Sequence, residues 1–227
     1  MTASPAYASS DIHTKARINM VDCQIRPNRV GDERLLVAMS ALPREMFVPP
    51  ALAGVAYADR SVQIAPGRFM MEPMFLARLL EAAAIDGDAK ALVIGAGTGY
   101  SAALLSAVAR SVVALESDMA LAEAARTNLA RLGCGNVSVV SGPLTGGWPA
   151  AGPYGTILID GAIRDLPETI AQQLAAGGSL VAIEMRGGRS GSGVLYRNVG
   201  GSVSGRAVFD AAAPYLPGFE PQPVFAL

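Results

Sequence analysis

The stretch "KALVIGAGTGYSAALL", residues 90–105, constrains the fold of this chain more than any other. An apolar run of strand length, Ala91 to Ile94, meets three glycines at alternating positions, Gly95, Gly97 and Gly99, and then a small-residue helix from Tyr100 to Ala109. Glycine carries no Cβ, so the backbone can turn sharply there and approach a bound group closely. The helix that follows points its unpaired N–H groups at the same place. Strand, glycine loop and helix in that order form the opening half of a βαβ unit.

The rest of the chain repeats the alternation. "DERLLVAMSAL" sets Leu35, Leu36 and Met39 on one helical face, and Pro43 stops that helix. "PMFLARLLEAAA" does the same with Phe75, Leu76, Leu79 and Leu80, with Pro73 opening it. After the glycine loop come a strand "SVVALE", a helix "SDMALAEAARTNLARLG" with Ser117 as its expected N-cap and Gly133 as its C-cap, and strands at "NVSVV" and "TILID". A helix is expected from Leu166 to Ala176, ended by Gly177-Gly178, and then a strand "SLVAIE". Strands alternating with helices predict a parallel sheet wrapped on both faces. Beyond Glu184 the pattern changes: "VLYRNV" and "VSGRAVFD", separated by "GGS", predict a hairpin after the turn "RGGRSGSG". The closing "PVFAL" reads as an edge strand or a packed tail.

At 227 residues the chain suits one α/β domain. The expected division is a tail over residues 1–14 and a single domain over 15–227. Within it lie an extension and pocket-covering segment (15–75), a cofactor-binding core (76–184) and a closing hairpin and tail (185–227). Eighteen Lys plus Arg against nineteen Asp plus Glu leave no global field for nucleic acid or anionic lipid. No 18-residue apolar stretch exists to span a bilayer, and the N-terminus lacks the apolar block of a signal peptide. Cys23 and Cys134 form neither a disulfide framework nor a metal spacing, which points to a reducing, cytoplasmic setting without structural metal. His13, the one histidine, is expected in the tail or on the surface.

Glu116 gives the glycine loop its chemistry. It ends the next strand, 21 positions after Gly95, where a carboxylate can accept hydrogen bonds from both hydroxyls of a ribose. Loop and acid together point to an adenosine-containing cofactor. A dinucleotide enzyme more typically carries Gly-x-Gly-x-x-Gly near its start, whereas Gly-x-Gly-x-Gly after some 90 residues favours S-adenosylmethionine and a methyltransferase. A strand-to-helix connection without ligand is the alternative for the loop alone.

Flanking segments narrow this further. "MVDCQIRPNRVGDERLLVAMSALPREMFVP", "AYADRSVQI", "IGAGTGYSAALLS", "NVSVVSGPLTGGWPAAGPYGTILIDGA" and "QQLAAGGSLVAI" follow the order and spacing of the protein-L-isoaspartate O-methyltransferase family, which the chain resembles from about Met20 through Val181. The resemblance implies a Rossmann-like α/β fold: a seven-stranded S-adenosylmethionine-dependent methyltransferase sheet with an N-terminal helical extension. It implies methyl transfer to isoaspartyl carboxylates of damaged proteins. Carried over residue by residue, it assigns Gly95, Ala96, Gly97, Gly99, Tyr100, Glu116, Ser117, Pro143 and Leu144 to the cofactor, and Met71, Glu72 and Asp160 to the reaction pocket.

The departures from the family cluster around that site. Met71 stands where the family has a serine, and a thioether donates no hydrogen bond. Glu72 replaces a glutamine, Arg68 enters the same stretch and can grip a carboxylate with both ends of its fork, and Val93 replaces the acid of the first strand. Pro143 replaces an aspartate near the adenine, and Asp160 stands where a small or hydroxyl residue is usual. Two further readings remain open: a divergent methyltransferase for another carboxylate or a small molecule, and a cofactor-binding protein without transferase activity.

Overall fold

The computed structural model describes residues 11–186 and 190–221. A seven-stranded sheet runs in the order β5-β4-β3-β6-β7-β8-β9, built from β3 (Lys90–Ile94), β4 (Ser111–Glu116), β5 (Val137–Ser141), β6 (Tyr154–Ile163), β7 (Leu174–Glu184), β8 (Gly191–Val199) and β9 (Ser202–Ala211). β3 through β7 pair in parallel, and the β8–β9 hairpin adds antiparallel to β7. A separate two-stranded ribbon, β1 (Val62–Ala65) and β2 (Arg68–Met70), precedes the sheet. The Rossmann-like sheet and the closing hairpin are those expected; the ribbon is not foreshadowed by any clean alternation.

Side chains along the central strands alternate between two cores, as a pleated strand requires. Ala91 and Val93 face α2 (Glu33–Ala41), α3 (Pro73–Ala83) and α4 (Tyr100–Val108), while Leu92 and Ile94 face α6 (Glu168–Ala171), Leu216 and Phe219. Val93 is thus fully buried in an apolar layer, where an unpaired carboxylate would be costly. α5 (Met119–Arg131) covers β4 and β5.

Several sequence expectations need correction. The helix preceding the first apolar core, α1 (Asp11–Asn19), begins inside the segment expected as tail. His13 lies on it, half-buried, with Nδ1 3.5 Å from Oε1 of buried Glu45 and its ring 6.4 Å from that of Tyr57, so it is neither in a loose tail nor freely exposed. The N-cap of α5 is Asp118, whose carboxylate accepts from the N–H groups of Ala120 and Leu121; Ser117 is exposed one residue earlier. The helix expected over 166–176 is one turn, because Leu174 already pairs with Tyr154 as the start of β7. The closing "PVFAL" lies outside the described residues.

The capping assignment is testable. Asp118→Ala removes an acceptor for two helix N–H groups and should cost about 1 kcal/mol in urea unfolding. Ser117→Ala should change the unfolding free energy by no more than about 0.5 kcal/mol.

Candidate functional site

The glycine loop sits at the carboxyl ends of β3 and β4, the edge at which open α/β sheets bind ligands. The N–H groups of Gly95 and Ala96 donate to the Leu115 carbonyl at 2.9 and 3.0 Å, which docks the loop on β4. Gly99, at φ +102°, is the residue from which α4 departs, and Asn128 Nδ2 reaches across from α5 to the Thr98 carbonyl. Thr98 Oγ1 donates to the Phe47 carbonyl at 2.6 Å, so the loop is also held by the N-terminal extension.

Glu116, with no exposed surface, ends β4 beside this loop as expected. Its Oε2 accepts from the Gly97 N–H at 2.7 Å, and its Oε1 accepts from the N–H groups of Ser117 and Asp118 at 2.8 and 3.0 Å. Both oxygens also accept from Arg68 of β2, Oε2 from Nη2 at 2.6 Å and Oε1 from Nη1. Arg68 is itself 5% exposed. The carboxylate expected to hold a ribose is therefore gripped by a guanidinium of the same chain. This pairing was missed in the sequence, where Arg68 was matched with an incoming carboxylate and Glu116 with two hydroxyls. Only the ribbon brings the two together.

Two apolar side chains close the site from either side. The segment 214–216 pairs with the end of β6, Leu216 N–H donating to the Ala162 carbonyl at 2.9 Å, and it lays Leu216 on the loop. A Cβ placed on Gly95 would fall 2.8 Å from Leu216 Cδ2, and one on Gly161 2.6 Å from Leu216 Cγ. Ile64 of β1 lies 2.7 Å from where a Gly97 Cβ would stand. What remains between Arg68, Met71, Asp160, Gly161 and Leu216 is a cavity of about 10 Å³. Ordinary small-molecule pockets hold roughly 300–1,000 Å³, and a space this small suits about one water.

The polar groups around that space fit a cofactor with a sugar diol and an amino-acid end, although the space itself is closed. Asp160, 8% exposed at the end of β6, has an Oδ1 without a hydrogen-bond partner. Burial pushes its carboxyl up to about 6, against the pull of Ser101, Arg44 and Arg68 nearby. Ser101 Oγ and Tyr100 Oη are also buried outside hydrogen-bond geometry, as are Arg44 Nη1 and Arg68 Nε. An acceptor such as Asp160 Oδ1 suits a cation at the site, and Glu116 suits two hydroxyls.

Arg44 organises the opposite wall. Fully buried, it donates through Nε to the Ala56 carbonyl at 2.6 Å and through Nη2 to the Met71 carbonyl, and it lies 4.6 Å from the Tyr100 ring centre. Tyr57 donates to Glu45 and receives the Arg44 N–H at 3.2 Å, so the Pro43-Arg44-Glu45 turn and the backbone under Met71 form one unit. Arg44 and Glu45 lie in the family-like segment "MVDCQIRPNRVGDERLLVAMSALPREMFVP", and their burial gives that stretch a role. Met71, 3% exposed, borders the cavity. Glu72, half-buried, faces Asp59, and burial together with that neighbour pushes it up to about 7. Pro143 is exposed, Leu144 is buried beneath it, and Ala96 and Tyr100 are buried in and beside the loop.

Sheet, glycine loop and strand-end carboxylate define a methyltransferase of the S-adenosylmethionine-dependent class. The chain matches the family described as Protein-L-isoaspartate(D-aspartate) O-methyltransferase (PCMT) over residues 16–203, and it belongs to that family. A relative of that name from Methanoculleus marisnigri is 42% identical over 168 residues, covering 74% of this chain and 76% of its own. One from Koribacter versatilis is 42% identical over 181 residues, 80% of each chain. A solved protein-L-isoaspartate O-methyltransferase superposes with a TM-score of 0.76 at 25% identity, spanning 90% of this chain and 66% of that one. The fold is also that of a Plasmodium falciparum protein solved with S-adenosyl-L-homocysteine, with a TM-score of 0.71 at 18% identity over 88% of this chain and 96% of that one.

Glu72 yields a pH prediction. Its ordinary value of 4.5 applies to the unfolded chain, so between about 4.5 and 7 the folded state binds more protons and stability falls as pH rises. Glu72→Gln removes that loss. It should stabilise the protein by roughly 1 kcal/mol at pH 8, discounted for partial exposure, and by nothing near pH 4, as read by thermal melts at both pH values.

Proposed function

We propose that the chain transfers a methyl group from S-adenosylmethionine to the free carboxylate of isoaspartyl residues in damaged proteins, as a repair activity in the cytoplasm. The observation that carries this reading is the convergence of the Gly95–Gly99 loop and Glu116 in a chain that matches the family from residue 16 to residue 203. Free Cys23 and Cys134 suit a reducing compartment, and no helix among the described residues is long and apolar enough to cross a membrane.

Glu116 would hold the ribose, the glycine loop with Ala96 and Tyr100 would approach the rest of the cofactor, and Ser117, Pro143 and Leu144 would border its adenosine. Bound there, S-adenosylmethionine supplies an electrophilic methyl group. The acceptor carboxylate is ionised near neutral pH and attacks without a general base, so the chain's work is alignment and exclusion of water. Met71, its carbonyl fixed by Arg44, walls the reaction pocket with Asp160, and Glu72 follows Met71 in the chain. Orientation by packed, hydrogen-bonded walls supplies most of such a rate.

A second reading is favoured by the pocket's charge. Asp160 and Glu72 would repel an anionic acceptor when ionised, which suits a different carboxylate with its own cation, or a small molecule. Transfer of labelled methyl to an isoaspartyl peptide and to its aspartyl counterpart separates the two. Selective, base-labile labelling of the isoaspartyl peptide is expected, and equal absence of label on both would overturn isoaspartyl repair. Met71→Ser restores a hydroxyl and should raise kcat/KM toward the isoaspartyl peptide roughly three- to tenfold, the worth of one hydrogen bond.

A further inference from the structure

We infer that Arg68 is a cofactor-displaced positioning residue, which holds Glu116 while the site is closed and passes to Asp160 when the cofactor takes Glu116. The inference rests on the cofactor reading above and concerns what controls that site.

Three observations carry it. Glu116 is saturated as it stands: its two oxygens accept from both Arg68 nitrogens, the Gly97 N–H, the Ser117 N–H and the Asp118 N–H. A carboxylate offers about four lone-pair sites, so two ribose hydroxyls bind only where the guanidinium lets go. Arg68 and Ile64 belong to one ribbon, β1–β2, and Ile64 covers Gly97 while Arg68 holds Glu116. Opening that ribbon therefore frees loop and carboxylate together.

Once the ribbon closes again over a bound cofactor, the displaced guanidinium needs another partner, because a buried unpaired charge is strongly unfavourable. Asp160 is the carboxylate at hand. It lines the same cavity, the charge of Arg68 already favours its ionised form, and beside Ser101 its Oδ1 is still without a partner in hydrogen-bond geometry. Arg68 Nε is likewise unpaired while its two Nη atoms are on Glu116. Arg68 thus has two carboxylates at the strand ends of β4 and β6, and the cofactor's hydroxyls compete for one of them. A latch arginine without a second acid would leave its charge stranded. A latch that keeps the open form about 1% populated weakens apparent cofactor affinity about 100-fold.

The test is calorimetric titration of the full chain with S-adenosylhomocysteine, a readout independent of turnover. Arg68→Gln should tighten binding about tenfold or more, within the usual range of coupling between linked equilibria, and Arg68→Lys, which keeps charge but loses the two-pronged grip, should fall between. Asp160→Asn should weaken binding in the natural chain and lose most of that effect in the Arg68→Gln background. Thermal melts establish that each variant is folded before titration, and Arg68→Lys covers the case in which Arg68→Gln does not fold. Unchanged or weaker binding by folded Arg68 variants overturns the latch. An equal Asp160→Asn loss in both backgrounds overturns the role of Asp160 as the second partner. Binding by neither the natural chain nor any variant overturns the cofactor reading itself, a failure distinct from the other two.

Discussion

The buried ion pair between Arg68 and Glu116 is the contact on which the closed site depends. Burying two charges carries a large desolvation cost, offset only where the geometry is good and the remaining polar valences are met. Here the guanidinium meets the carboxylate with both prongs, and three backbone N–H groups complete the acceptor. Those N–H groups come from the glycine loop and from the turn into α5, so the same carboxylate fixes the loop and the strand end. It is a structural keystone of the site.

Around it the walls are set by elements distant in sequence. The β1–β2 ribbon brings Ile64 and Arg68, the segment after β9 brings Leu216, and the N-terminal extension brings Arg44, which clamps the Met71 carbonyl. α1 is tied to the same extension through Arg17, whose Nε donates to the Ser40 carbonyl at 2.7 Å, and through His13 beside Glu45. The site is thus the meeting point of the sheet's central loop with three outer segments. The ribbon is itself anchored in one of the two cores through Val62 and Met70.

The departures from the family sort by environment. Val93 lies in an apolar layer with its neighbours packed against it, which removes a charge without leaving a gap in hydrogen bonding. Asp160 and Arg68 add opposite charges at the pocket, and each has a nitrogen or oxygen left unpaired there. Met71 and Glu72 stand at the start of α3, where Pro73 occupies its first position, and Glu72 shares its partly buried surroundings with Asp59.

The sequence by itself determined the sheet, its two-faced packing, the glycine loop and Glu116. These features rest on local rules: strand-length apolar runs, periodic helix faces, and glycines that permit positive φ where the chain must turn at Gly97 and Gly99. It misplaced the α5 cap by one residue, where the Asp118 carboxylate takes the free N–H groups, and it overextended α6, where Leu174 pairs with Tyr154 as the start of β7. What only the tertiary structure decided is who holds Glu116. Arg68 precedes it by 48 positions, on a three-residue strand whose pairing carries no sequence periodicity of its own, so no local pattern forecasts the ion pair. Likewise Leu216 reaches the loop only through pairing with the end of β6. Local chemistry built a cofactor cradle, and long-range packing closed it, because a buried charge takes whichever partner the fold delivers.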